Sequence, residues 1–335
     1  MRITNPKSSR GVALIIVLFV MALGSILVIN LASSTSLGAH RISYAQRGIE
    51  AEYILKSSVN LARVLIGSAG SSPNYDAVNS PWGMFARGAP IPQSLVPDLP
   101  LGEQVQLSLE VRPADTKIPI KQISQGTTVD AFWRDSLINL MVNLGFNNDG
   151  EVDQTGRFPN RVVTPQEMAG LIIDYMDNDT TSYEASLGEA DLPKELCPSN
   201  KTIERLEDLA VLPGFTAKRL QLLEPYVTVG ETTTVNLNLV SREVLNAFPA
   251  ITQQDVDAVI TYRESQNGPF NSISYASVLP SLTPYFSSAR IPKVNPVSNL
   301  FDIIAKADYG TSTYFIKAVL RRSGTVPDVL STELY

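Results

Sequence analysis

The 335-residue chain has a single cysteine, Cys197, and a single histidine, His40. A lone cysteine excludes an intramolecular disulfide and leaves Cys197 as either a buried apolar filler or a free thiol. A lone histidine beside an apolar stretch removes His-based triads and His-ligated zinc sites, and with them most hydrolase mechanisms. Cations are also in short supply. The 27 Lys and Arg face 33 Asp and Glu, and the net charge of −6 argues against nucleic acid as a partner, because backbone binding needs clustered bases. The length suffices for one core with an insertion, or for two domains.

Against this sparse chemistry stands one long apolar run. Arg10 to Leu31 reads RGVALIIVLFVMALGSILVINL, with no further charge until His40 and Arg41. About 20 apolar residues at roughly 1.5 Å each cross the ~30 Å hydrocarbon core of a bilayer. Arg2, Lys7 and Arg10 precede the run with no acidic residue among them, which predicts a cytoplasmic N-terminus and export of the rest. Three readings fit such a segment. A secretory signal peptide has an apolar core of about 7–15 residues and small residues at its cleavage site. This run is longer, and Ala32-Ser33-Ser34 is only a passable site. An uncleaved signal anchor is the plainest alternative. Finally, Arg10-Gly11 resembles the type III, prepilin-type leader, whose dedicated peptidase cuts after the glycine and leaves the apolar helix on the mature protein. That resemblance implies processing between Gly11 and Val12.

Helical periodicity continues beyond the run. Ile42, Ala45, Ile49, Tyr53, Ala62 and Leu65 recur at helical spacing, and no proline interrupts Val12 through Ile66. Gly67-Ser68-Ala69-Gly70 is the expected stop. A continuous helix here would be roughly 80 Å long, half in lipid and half on a folded domain. A span followed by a separate amphipathic helix would read the same. Residues 71–102, rich in Pro, Gly, Ser and Asn, read as irregular chain. Val105, Leu107, Leu109 and Val111 then alternate as a half-buried strand, with Ile118, Ile120 and Ile123 as its expected partner. A second strand pair is expected over Phe301, Ile303, Ala305 and over Phe315, Ala318, Leu320, turning at Asp308-Tyr309-Gly310. Helical pattern fills the sequence between these sets, which predicts an insertion into an α+β domain.

Within that block an amphipathic helix is expected over Asp130–Phe146. A second starts at Thr164-Pro165-Gln166-Glu167, with threonine as cap and proline in the first turn. Two later units resemble helix-hairpin-helix modules, around Leu212-Pro213-Gly214-Phe215-Thr216 and Pro249-Ala250-Ile251-Thr252. The DNA-binding version uses a Gly-hydrophobic-Gly turn to bring backbone amides onto a phosphate. Here one turn keeps a single glycine, the other none, and Asp255 and Asp257 would repel a phosphate. The acidic loop between these helices is the better candidate site. Asp174, Asp177 and Asp179 are followed by Glu184, Glu189 and Asp191 with little basic charge among them. Such carboxylates repel one another unless they are solvated or bridged by a cation, and calcium takes 6–8 hard oxygen ligands in flexible geometry. Both a solvated loop and a Ca2+ site fit the residues. Asn147-x-Asp149-Gly150-x-x-Asp153 is a weaker case, a polar turn before a metal loop.

The order of these features resembles the general secretion pathway protein K family, the K-type minor pseudopilins of type II secretion systems. The resemblance spans nearly the whole chain and rests on the glycine leader, GIEAEYILKSSVNLARVLI, IIDYMDND, LEDLAVLPGF, LEPYVTV, VNLNLVSREVL and the terminal strands. Most pseudopilins carry Glu as the fifth mature residue; cutting after Gly11 puts Ile16 there, and loss of that acid is a mark of the K type. A carboxylate in lipid is costly unless paired, so a subunit with none above it has no use for one. The family implies a pilin-like α+β fold. A long N-terminal transmembrane helix packs on a small antiparallel sheet, with a large inserted all-helical domain containing two helix-hairpin-helix or SAM-like units. The implied division is leader 1–11, helix 12–66 with its span at 12–32, pilin-like domain 67–123 and 293–335, and insertion 124–292.

The family further implies a two-calcium site to which Asp174, Asp177 and Asp179 correspond position by position. Gly188-Glu189-Ala190-Asp191 matches its second part loosely, and Tyr175 replaces the usual Trp. A disulfide common near that site is excluded by the solitary Cys197. The implied role is non-enzymatic: a minor pseudopilin in the inner membrane, single-pass with a periplasmic C-terminal domain, that starts and caps a pseudopilus and supports export of folded proteins. Its implied partners are the I- and J-type minor pseudopilins, the major pseudopilin, the inner-membrane assembly platform and the prepilin peptidase. The alternative is a membrane-anchored periplasmic DNA-binding protein using its hairpin modules.

Overall fold

The computed structural model describes residues 9–69, 75–95, 105–177, 179, 181–183, 201–265, 268–271 and 293–335. These form two units, Met1–Leu55 and Lys56–Tyr335. Helix α1, Ser9–Ala69, enters both and is 61 residues long. Nothing breaks it, because no proline lies between Pro6 and Pro73 to remove a backbone donor. In the first unit its apolar stretch is bare: the most apolar 18-residue window has mean hydropathy 3.2 and is 0% buried. By length and composition this helix can cross a membrane. Its hydroxyls are satisfied within the helix, Ser25 Oγ donating to the Met21 carbonyl and Thr35 Oγ1 to that of Leu31.

The second unit begins with the last turns of α1. Val59, Ala62 and Ile66 share a buried face at spacings of three and four, while Lys56, Asn60 and Val64 point to solvent. Gly67 is required by close backbone approach, since a Cβ there would lie 2.2 Å from the Thr325 carbonyl oxygen. Arg63 Nε, one turn earlier, donates to the Pro327 carbonyl at 2.9 Å. The sheet has five antiparallel strands in sequential order: β1 Ala89–Pro90, β2 Gln106–Pro113, β3 Leu300–Asp308, β4 Thr313–Arg321 and β5 Asp328–Leu334. Alternation sorts its faces. Leu107, Leu109 and Val111, Ile303, Ala305 and Ala307, and Ile316, Ala318 and Leu320 are all buried, and the residues between them are not. The β3–β4 turn falls at Asp308-Tyr309-Gly310, where Gly310 takes φ +76°.

β2 and β3 are ladder neighbours although residues 114–299 lie between them, so the intervening chain is an insertion at one sheet connection. It supplies α2 Ala131–Asn143, α3 Pro165–Met176, α4 Ala217–Leu223, α5 Arg242–Ala247 and α6 Gln253–Glu264. Each helix has a side-chain cap. Asp130 accepts from the Phe132 and Trp133 amides, Thr164 and Glu167 form a capping box with Pro165 in the first turn, Thr216 and Ser241 cap α4 and α5, and Thr252 with Asp255 forms a second box. Trp133, Leu137, Phe146, Met168, Leu223, Leu245 and Val256 belong to one buried apolar cluster.

The expected partner of β2 is displaced. Ile118–Pro119 makes a two-residue parallel bridge to Val227–Thr228, and Ile118, Ile120 and Ile123 are buried in the helical core. Pro119 cannot donate to a ladder, whereas β3 offers β2 a register of eight residue pairs. The outermost strand β5 was not evident in the sequence. Its apolar alternation is broken at Val329-Leu330, where the β4 register shifts by a bulge between Val319 and Leu320.

One buried polar cluster ties these parts together. Asp76 Oδ1 accepts from Trp82 Nε1 at 2.8 Å and Arg322 Nη2 at 2.9 Å, and Oδ2 accepts from the Ser298 amide at 2.8 Å and from Arg322 Nη1. Arg322 also donates to the carbonyls of Ser298 at 2.8 Å and Ile66 at 3.1 Å. The end of α1, the loop after it, the end of the insertion and the segment after β4 therefore share one ion pair.

Candidate functional site

Gly11, Val12 and Ile16 all lie in α1, and Val12 and Ile16 are 57% and 56% exposed. Their exposed apolar side chains continue the bare apolar stretch of α1.

The acidic segment is built on the C-terminal end of α3. Its carboxylates sit where the helix carbonyls already concentrate negative charge. Asp174, in the last turn, is buried, and its Oδ1 accepts the Tyr183 amide at 2.7 Å. Asp177 is the C-cap residue and is also buried, at 6% exposure. Asp179 Oδ1 accepts the Thr181 amide at 2.8 Å. The Asp177 carboxylate takes the Asp179 amide, but its Oδ1 is buried with no hydrogen-bond partner. Burial first, then the charges of Asp179 and Asp174, push the Asp177 carboxyl up to about 6. Arg134 of α2 reaches the described end of this segment, its Nη1 donating to the Tyr183 hydroxyl.

The structure therefore brings Asp177 within electrostatic reach of both Asp174 and Asp179; Glu184, Glu189, Asp191 and Cys197 lie outside the described residues. An orphaned buried carboxylate oxygen among like charges, with hard oxygen donors and, among the described residues, no thiolate or imidazole beside it, fits Ca2+ better than a softer metal. Among the described residues no three acidic, His or Cys side chains complete a metal site. Further oxygens would have to come from elsewhere. Sequence reasoning missed Arg134 and Tyr183, and no spacing signal could have paired them, because they stand on separate elements.

The hairpin turns are committed to packing. Gly214 takes φ +85°, and a Cβ there would sit 2.8 Å from Val163 Cβ. In the second turn Ala250 takes φ +60°, a left-handed conformation without glycine's freedom. Arg219 of α4 is 0% exposed. Its guanidinium donates to both Asp149 oxygens at 2.7 and 2.8 Å, to the Phe146 carbonyl at 2.8 Å and to the Gly214 carbonyl at 3.1 Å. Lys218 pairs with Glu151 and Arg242 with Asp257. These bases are matched to acids and form no cationic surface for a phosphate chain. Asp149 and Asp153 are likewise occupied, the latter by the Thr155 and Phe158 amides, so residues 147–153 form a polar turn.

No known protein family's sequence pattern matches the chain, and no curated protein matches it by sequence. Its three-dimensional structure does have a counterpart. A chain of the crystal structure of the GspK-GspI-GspJ complex from the enterotoxigenic Escherichia coli type 2 secretion system aligns with a TM-score of 0.58 at 16% identity. The alignment covers 88% of this chain and 99% of that one. The fold is pseudopilin-like. Long apolar helix, small antiparallel sheet and extra helical domain correspond to that architecture, and at this identity the likeness is one of fold.

Proposed function

We propose that the chain is a minor pseudopilin of the K type that caps the periplasmic pseudopilus of a type II secretion system. The observation that carries this reading is the extent of the structural likeness, which takes in 88% of the chain and 99% of its counterpart in a complex of secretion-system subunits. The bare apolar helix supports an inner-membrane anchor with a cytoplasmic N-terminus and a periplasmic remainder. Ile16 supports the top position, since it offers no carboxylate to the amine of a subunit above. The insertion between β2 and β3 adds bulk that would hinder further addition. The work is mechanical: the subunit starts assembly, terminates the stack and presents its helical domain to exported protein. It has no nucleophile–base pair in this reading and is a substrate of the prepilin peptidase. I- and J-type subunits are the direct partners, with the major pseudopilin and the inner-membrane platform beneath.

Ca2+ belongs to the same proposal. Asp174, Asp177 and Asp179, with Glu184, Glu189 and Asp191, would hold it. The ion would supply the positive charge that these carboxylates lack, and so fasten the loop after α3.

The deciding experiment is the intact mass of the protein from cells containing a prepilin peptidase. Loss of Met1–Gly11 is expected for the natural chain, and retention of the leader is expected for Gly11→Ala. The same processing in both, whether both lose the leader or both keep it, or a natural chain beginning after Ala32, would overturn the reading.

A further inference from the structure

The acidic segment is held by two residues that carry none of its negative charge. Asp174 stands on the last turn of α3, and the chain that leaves this helix at Asp177 is back against it at Tyr183, whose amide donates to Asp174 Oδ1 at 2.7 Å. Between them Asp179 turns the chain, its Oδ1 accepting the Thr181 amide. The return to α3 is repeated at Lys201, whose amide donates to the Tyr175 carbonyl at 2.9 Å. A carboxylate has about four lone-pair directions, so one amide orients Asp174 without exhausting it.

What fixes Tyr183 stands on another helix. Its ring is half-buried against the helical core, and its hydroxyl accepts Arg134 Nη1 at 2.5 Å. Arg134 lies in α2, 49 residues earlier, and is itself aimed. Asp135 takes its Nε at 2.7 Å and its Nη2 at 2.6 Å, while Nη1 serves the tyrosine. The guanidinium charge is thereby matched within α2, so Arg134 acts on the acidic segment through geometry rather than through neutralisation. α2 is anchored in turn, with Trp133 buried and Asn139 Nδ2 donating to the Ala247 carbonyl at 3.1 Å. A strut therefore runs from a core helix through the Tyr183 hydroxyl, ring and amide to Asp174.

We propose that Arg134 and Tyr183 are positioning residues for a cation at the acidic segment, holding Asp174 in its binding orientation before the ion arrives. The inference rests on the Ca2+ reading of Asp174, Asp177 and Asp179, for which the buried, unpartnered Asp177 Oδ1 is the local evidence. Neither residue is a ligand: Arg134 is a cation, and the Tyr183 hydroxyl faces it. Outer groups of this kind set metal affinity by about 10–100-fold without touching the metal. A segment already folded back on its helix loses less freedom on binding, so the effect falls on affinity.

Calorimetric titration of Ca2+ into the chelator-treated full chain in detergent tests it. Tyr183→Phe deletes the hydroxyl but keeps ring and amide, and Arg134→Met keeps the stem but removes the fork. Each is expected to raise the dissociation constant about tenfold while the melting temperature in chelator changes little. The double variant should raise it no further, because both changes cut one link. An unchanged dissociation constant in both single variants, with or without a lower melting temperature, would overturn the proposal and leave the Ca2+ reading standing. So would a double variant weakened by the product of the two effects, which would make the residues independent. A natural chain that takes up no Ca2+ would instead remove the ion, and this inference with it.

Discussion

Asp177 is where burial, helix end and neighbouring charge act on one side chain. Its carboxylate keeps one oxygen without a partner while Asp174 and Asp179 press on it electrostatically. With calcium chelated, Asp177→Asn removes that repulsion, and the melting temperature should rise. Added Ca2+ should then stabilise the natural protein and leave the variant unmoved; a calcium response equal in both would remove Asp177 from the site. Asp115 is a second strained carboxyl, unconnected with any ligand. It is 1% exposed, its Oδ2 accepts the Asn299 amide at 3.0 Å, and its Oδ1 has no partner. Burial chiefly, opposed by hydrogen bonds and assisted by the charge of Asp76, raises it from 3.8 to about 7. The folded chain thus keeps a proton that the unfolded chain releases near pH 4. Stability should fall as pH rises from there to about 7 and level off above, by up to about 1.4 kcal/mol per pH unit in that window. Thermal melts of Asp115→Asn over the same range should show a shallower slope and, at neutral pH, a melting temperature at or above that of the natural protein.

At the scale of elements, the caps and turns of the inserted block carry most of what local sequence can say. The Thr164–Glu167 box and Pro165 are a helix start legible without any structure, and α3 begins there. The two hairpin turns share a left-handed backbone at the residue after proline and differ in the residue that adopts it, Gly214 in one and Ala250 in the other. Gly214→Ala meets both a positive φ and the Val163 side chain, and should cost about 2–4 kcal/mol from left-handed strain and overpacking. Ala250→Gly relieves strain at φ +60° and should stabilise by less than about 1 kcal/mol, the gain being offset by glycine's greater freedom in the unfolded chain. Urea denaturation of the two variants should move in opposite directions.

For the second unit as a whole, the Asp76–Arg322 pair joins segments far apart in sequence. Side-chain exposures of 0% and 9% make it a buried pair. Such a pair adds little over a well-packed apolar substitute, yet breaking it strands a charge. Arg322→Met should therefore cost about 3–5 kcal/mol in urea denaturation, and adding Asp76→Leu should recover part of that loss. A double variant no more stable than Arg322→Met would show that the pair's role is not electrostatic.

The sequence by itself determined the apolar helix, the alternating strands β2, β3 and β4, and the starts of the capped helices. Each of these depends on periodicity or on contacts within a few residues. It also marked the acidic stretch after α3, because charge composition needs no fold to be read. Only the tertiary structure decided that β2 pairs with β3 across the insertion, that Ile118 turns into the helical core, and that β5 closes one side of the sheet. It likewise decided that Arg219 is spent on Asp149 and that Asp177 is buried beside its fellow carboxylates. Those outcomes turn on which distant surfaces exclude water together, a choice made by long-range packing and invisible in any local pattern.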